Sequence, residues 1–86
     1  GIYCSVFMAN IPEGAQLRSE WRYLRGSGLS LTNHLYSWHE GDTIGGSDYH
    51  WFRLNPPDAG LFPVGEYEFI LYIEGLEHVR LPFTVT

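Results

Sequence analysis

The chain has 86 residues, of which 44% are hydrophobic and 17% charged, a composition typical of one small globular domain rather than a disordered chain. Ten acidic residues against five arginines, with no lysine, give a net charge of −5, which argues against nucleic acid and anionic membrane surfaces as partners. No apolar run approaches the ~18 residues of a membrane span, so we expect no membrane insertion.

The N-terminal part of the chain predicts two strands joined by a turn. Residues 2–9 are mostly apolar and predict the first strand, in which Cys4 is expected as a small buried side chain. Asn10, Pro12 and Gly14 predict a turn. Residues 15–24 alternate cleanly, with Trp21 on the apolar face, and therefore predict a half-buried antiparallel strand.

The middle of the chain carries the weakest pattern. Glycines punctuate residues 25–48, and the interval 29–38 has room for one short strand. Residues 49–54 alternate again, which places Tyr49 and Trp51 opposite the apolar side chains of Phe52 and Leu54. Residues 55–60 contain two adjacent prolines and predict a loop.

The C-terminal third predicts a hairpin. Tyr67, Phe69 and two further apolar residues share one face of residues 66–73, and residues 79–85 return with the same alternation after a turn at Glu74 and Gly75. No segment has helical periodicity. Five to seven short strands with one apolar face each predict an all-β fold in which two antiparallel sheets cover one another.

One run of residues resembles a known motif. Leu61, Pro63, Gly65 and Tyr67 form an L-x-P-x-G-x-Y sequence before the strongest strand. This run resembles the tyrosine corner of fibronectin type III and related immunoglobulin-like domains, which also carry a core tryptophan, here Trp21. The resemblance implies a two-sheet sandwich of about seven strands in which the tyrosine hydroxyl bonds to the backbone of the preceding crossover.

The end of the chain resembles a second group of immunoglobulin-like modules. Gly65-x-Tyr67, the turn at Gly75 and Phe83-x-Val85 are similar to the closing strands of accessory modules in bacterial surface and secreted proteins. A start at Gly1 rather than methionine and an end at Thr86, directly after a predicted strand, lead us to expect that residues 1–86 are a single domain excised from a larger protein. The resemblance implies an extracytoplasmic setting for that protein. It also implies that the domain binds or spaces its neighbours.

The residues that could carry catalysis or hold a metal form no convincing pattern. No serine or cysteine lies in a nucleophile motif, so we expect neither an enzyme nor a cofactor. His34, His39 and His50 lie within 17 residues and could supply three zinc ligands. Their spacing matches no metal motif, however, which favours unrelated loop or core histidines and no metal.

The aromatic residues outside the core pattern are the strongest functional signal. They are expected on the outer faces or in loops, where clustered rings mark a binding surface for a neighbouring domain or a protein partner: Tyr36, Trp38, Tyr49, Trp51 and Tyr72. The alternative is a carbohydrate-binding module that uses Trp38, Trp51 and Tyr49. A register error of one residue would instead bury Trp38 or Trp51.

Overall fold

The computed structural model describes residues 1–42, 45–58 and 60–86. The described residues are all-β, as predicted, and contain no helix, hence none with the length and hydropathy needed to cross a membrane. They form six strands, not about seven: β1 Ile2–Ile11, β2 Gln16–Arg25, β3 His34–Asp42, β4 Gly46–Leu54, β5 Gly65–Ile73 and β6 Leu76–Val85.

The difference in strand number arises in the glycine-rich middle of the chain. The segment from residue 26 to residue 33 forms a loop, and Asn33 adopts a positive φ of 48° immediately before β3 begins. β3 therefore begins and ends later than the interval 29–38 that the sequence favoured. The loop at residues 55–60 agrees with the prediction for its described residues, since no strand lies there.

The strands form two antiparallel sheets. β1 pairs with β4, and the four other strands lie in the order β3-β2-β5-β6. The inner faces of both sheets contribute to one hydrophobic core, in which the ring of Trp21 lies 4.8 Å from that of Phe69. Phe52 of β4 reaches across to the same phenylalanine, at 5.1 Å between ring centroids. The alternation in β2, β4 and β5 correctly assigned these inward residues.

Two buried tyrosines attach the β4–β5 connection to the larger sheet. The hydroxyl of Tyr67 donates a hydrogen bond to the carbonyl oxygen of Pro63 at 2.5 Å, the bond expected of a tyrosine corner. The hydroxyl of Tyr23 donates to Val64 at 2.8 Å and accepts from the amide of Leu29 at 3.1 Å. The two rings meet edge to face at 5.1 Å, so both hydroxyls anchor neighbouring carbonyl groups of one loop.

The remaining residues of the motif differ in their roles. Gly65 is buried, and a Cβ there would lie 2.6 Å from the carbonyl oxygen of Arg25, so the close approach of the two strands requires glycine. Phe83 stacks on Tyr67 at 5.1 Å between centroids. Leu61, in contrast, is 80% exposed and makes no core contact that would explain its place in the run.

The β5–β6 hairpin closes with the predicted two-residue turn. Glu74 and Gly75 have φ values of 52° and 79°, as a type I′ turn requires. The backbone amide of Glu74 also donates to the carbonyl oxygen of Gln16 at 2.9 Å, which joins the turn to the beginning of β2.

Candidate functional site

The outer face of the β1–β4 sheet carries a cluster of exposed rings. The register places Tyr3 opposite Arg53 and Phe7 opposite Tyr49, with Trp51 between them opposite a serine. Tyr3, Phe7, Tyr49 and Trp51, which we call the aromatic face, are 55–71% exposed. This is a large apolar surface for so small a domain.

The rings of the aromatic face do not form a flat platform. Phe7 meets Tyr49 edge to face, with centroids 5.1 Å apart and planes at 65°. The guanidinium of Arg53 lies over the ring of Tyr3 at 5.4 Å. Because the rings are tilted relative to one another, this uneven surface fits a protein partner of complementary shape better than it fits a planar ligand.

The outer face of the four-stranded sheet is different in character, because ion pairs cover it. Glu20, with only 7% of its side chain exposed, accepts hydrogen bonds from Arg18 at 2.8 Å and from Arg22 at 3.0 Å. Arg18 also pairs with Glu40 at 2.6 Å. Burial raises the pKa of Glu20, but the hydrogen bonds from the two arginines outweigh it and lower that pKa below its usual value.

The structure divides the aromatic residues singled out from the sequence among different environments. Tyr49 and Trp51 belong to the aromatic face. Trp38 lies on the outer side of β3, 55% exposed, with the guanidinium of Arg18 at 4.7 Å from its ring. Tyr72 is half-buried on the outer side of β5, opposite Arg18. These residues therefore do not form one surface.

Tyr36 turns away from the surface altogether. The β2–β3 register shifts between Trp21 and Arg22, which pair with Ser37 and Leu35, and this leaves Tyr36 as an extra residue in β3. Its half-buried ring packs against the core at 6.0 Å from that of Tyr67. A bulge of this kind reverses the inward and outward alternation, which is why the sequence pattern misassigned the residue.

Two members of the aromatic face, Tyr3 and Phe7, were missed by the sequence analysis. β1 is apolar on both faces, so its composition alone did not distinguish the inward from the outward side. The available signal was the even spacing of the two rings, four residues apart, since alternate residues of a strand share a face.

A cleft opens where β3 and β4 form edges of their respective sheets. Trp38 and Trp51 flank this cleft, which has a volume of about 360 Å³ and also borders the inward residue Trp21. His39, Arg53 and the loop residue Asn55 also border it. Of the three residues proposed for carbohydrate binding, Trp38 and Trp51 line this cleft and Tyr49 does not.

The candidate groups for metal binding and nucleophilic chemistry are not assembled into sites. His34 and His39 lie on β3, whereas His50 lies on the other sheet opposite Val6. The described ranges contain no group of three or more histidine, cysteine and acidic residues that could hold a metal. Burial raises the pKa of the Cys4 thiol, which disfavours the reactive thiolate.

Comparisons with known proteins add no family to these observations. A scan against protein-family models, a search of curated proteins and a search of solved structures each found no match to the chain. The functional argument therefore depends on the geometry of the two sheets.

Proposed function

We propose that the chain is an immunoglobulin-like module that binds a neighbouring domain and catalyses no reaction. In that fold, one sheet contains strands B and E, and the other has C, F and G with C′ beside C. The orders β1-β4 and β3-β2-β5-β6 match this arrangement if β1 takes the place of strand B. Trp21 on β2 and Tyr67 near the start of β5 support the same assignment, because the core tryptophan and tyrosine corner of such domains lie on strands C and F.

The observation that carries the binding proposal is the contrast between the two outer faces. The aromatic face has four rings at 55–71% exposure, and in the part of the chain that the structure describes no aspartate or glutamate points outward among them. The other sheet shields its outer side with arginine–glutamate pairs. A solvated face needs no partner, whereas an apolar face exposed to water gains free energy when another surface covers it.

The size of the aromatic face favours a neighbouring domain as the occupant. Aromatic side chains bury about 150–250 Å² each, so four of them at this exposure offer roughly 500 Å². A stable dimer needs about 800 Å² from each partner. Contacts between domains of one chain are smaller, about 600–1,500 Å² in total, which the aromatic face can supply.

The test compares the stability of the domain alone and within the longer polypeptide that we expect to contain it. Docking stabilises the domain in the longer chain, since contact with a neighbour is lost on unfolding. The double variant Phe7→Thr/Tyr49→Thr removes this extra stability but leaves the isolated domain within about 0.5 kcal/mol, because both side chains are exposed. Leu76→Thr, at a side chain 68% exposed on β6, is the matched control and leaves the extra stability intact.

Three results would contradict the proposal. The first is equal stability of the domain in the two contexts. The second is an equal effect of Leu76→Thr and the double variant. The third is self-association of the isolated domain through the aromatic face, measured as a concentration-dependent mass, because it would identify a second copy as the occupant.

A further inference from the structure

The free edge of β1 differs from the other free strand edges of the two sheets. Among the strands that the structure describes, β1, β3, β4 and β6 each pair with one neighbour only. Proteins protect such edges from pairing with other chains by placing prolines, charges or bulges on them. β6 contains Pro82, β4 carries Asp48, and β3 has the bulge at Tyr36. These three edges are therefore poor templates for a further strand.

β1 has none of these protections over seven residues. Its sequence from Ile2 to Met8 contains neither a charge nor a proline, and its pairing with β4 is regular over the same span. Extended residues rise about 3.3 Å each, so this edge presents about 23 Å of backbone that no strand of the described chain pairs with. It is the edge best suited to receive an added strand.

A narrow apolar groove lies beside this edge. Most of its lining consists of apolar residues from the inner faces of both sheets: Val6, Met8, Leu71, Ile73 and Val79. The four-stranded sheet thus continues past the edge of β1, where the smaller sheet has no strand to cover it. The groove has a volume of about 200 Å³, below the ~300–1,000 Å³ that is usual for small-molecule sites, and therefore suits the side chains of a strand better.

The inner face of β6 shows the same lack of cover further along the strand. Leu81 pairs with Phe69 and shares the inner face with Val79 and Phe83, yet it is 43% exposed. Phe69 on the neighbouring strand is only 1% exposed. A strand added to β1 would cover this part of β6, and the burial of Leu81 would favour its binding.

The size and charge of the edge indicate what binds there. A length of about 23 Å and the spacing of ~10 Å between stacked sheets give a contact of roughly 230 Å². A second folded copy would need about 800 Å² from each partner for a stable dimer, whereas an added strand gains affinity from main-chain hydrogen bonds. Because the chain has a net charge of −5 and no lysine, a basic strand is favoured over an acidic one.

We propose that the edge of β1 binds an extended, basic peptide segment of a partner protein, which becomes the third strand of the smaller sheet. Apolar side chains at every second position of the segment fill the groove and cover Leu81. This proposal does not depend on the docking of a neighbouring domain. Phe7 borders both the groove and the aromatic face, but the binding assay uses the isolated domain, where no neighbour is present.

The experiment titrates the isotope-labelled, isolated domain with the peptide acetyl-Lys-Val-Thr-Val-Thr-Val-Lys-amide and follows the backbone amide resonances. Saturable shifts are expected for the amides of residues 2–8, Val79 and Leu81. The β1 amides that face the free edge should also exchange their hydrogens more slowly, because they gain hydrogen-bond acceptors. The amides of β3, at the opposite edge of the larger sheet, are expected to change little.

Two N-methylated peptides test the strand pairing itself. Successive amides of an extended strand point to opposite edges, so methylating only the valine amides or only the threonine amides removes donors from one edge. One of these peptides is expected to lose binding, and the other is expected to retain it, because a single edge faces β1. Equal affinities of the two peptides would overturn pairing with β1.

A matched pair of variants tests the groove. Val79→Thr places a hydroxyl group in the groove at nearly constant size and is expected to weaken peptide binding about threefold or more. Val64→Thr makes the same exchange at a residue that is 45% exposed and outside the groove, so the affinity should stay within about twofold. Equal effects would overturn the role of the groove. Far-ultraviolet circular dichroism checks the folding of both variants.

Four further results would overturn parts of the proposal or all of it. Equal or tighter binding of the peptide with glutamate in place of both lysines would overturn the preference for a basic strand. Concentration-dependent dimers with protected β1 amides would identify a second copy as the occupant. Binding by the isolated domain but not by the longer polypeptide would show that the same chain already covers the edge, and would overturn a partner protein as the source. The absence of any saturable shift at millimolar peptide would overturn the proposal as a whole.

Discussion

The hydrogen bond of Tyr67 allows a direct test of how the β4–β5 connection is held. Tyr67→Phe keeps the buried ring and its contacts with Tyr23 and Phe83 but removes the hydroxyl that donates to Pro63. A neutral hydrogen bond contributes about 0.5–1.5 kcal/mol, and a buried carbonyl group without a partner adds to the loss. Because Pro63 is only half-buried and can recruit water, we expect a total loss of about 1–2 kcal/mol.

Urea unfolding monitored by intrinsic tryptophan fluorescence, to which the buried Trp21 contributes, measures this loss. The slope of the unfolding free energy against urea concentration should change little. In a domain of this length, the same loss would lower the melting temperature by roughly 5–15 °C. Tyr23→Phe should cost more, since that hydroxyl makes two hydrogen bonds. Tyr3→Phe is the control, because Tyr3 is 61% exposed. If Tyr67→Phe were no more destabilising than this control, the hydroxyl would not hold the connection.

Three other variants and conditions test the surroundings of this anchor. Burial, with smaller contributions from two neighbouring tyrosines, raises the pKa of Tyr67 from 10.0 to about 12. The free energy of unfolding should therefore be unchanged below pH 10 and fall as the pH rises towards 12. Urea unfolding should show a smaller fall in Tyr67→Phe, which lacks this hydroxyl. Gly65→Ala should destabilise the domain by more than about 2 kcal/mol in the same assay, because the new Cβ would lie 2.6 Å from a backbone oxygen of β2. Gly41→Ala is the control and should be close to neutral, because the atom nearest to its new Cβ would be 3.7 Å away. Glu20→Gln should lower the free energy of unfolding by about 1 kcal/mol in thermal unfolding, because it weakens two partly buried ion pairs. Glu66→Gln is the control and should change it very little, because the side chain of Glu66 is 52% exposed.

The sequence predicted the fold best where apolar residues recur at every second position of a strand. β2 and β5 have this pattern, so period-two alternation correctly identified Trp21 and Phe69 as core residues. The position of β3 was predicted poorly, because glycines and polar residues around it give no alternation to follow. The beginning of β3 depends on the turn at Asn33. The backbone amide of Asn33 donates a hydrogen bond to the carbonyl oxygen of Leu24, and composition does not encode this contact between segments.

The candidate site was predictable only strand by strand. Alternation in β4 correctly directed Tyr49 and Trp51 outward, but the pairing of β1 with β4 is a tertiary feature, and it alone brings Phe7 beside Tyr49. The cleft is less predictable still, since Trp38 and Trp51 belong to edge strands of different sheets. That both residues border one cleft follows from how the two sheets pack, which no local pattern reports.

The most direct test of the docking proposal measures the solvent accessibility of each aromatic side chain. Hydroxyl-radical footprinting of the isolated domain and of the longer polypeptide that we propose contains it reports oxidation residue by residue. We predict strong oxidation of Tyr3, Phe7 and Tyr49 in the isolated domain and clear protection of all three in the longer chain, while Tyr72 on the opposite sheet changes little. Equal oxidation of the three rings in both contexts would contradict the account, because it would show that no neighbouring domain covers the aromatic face.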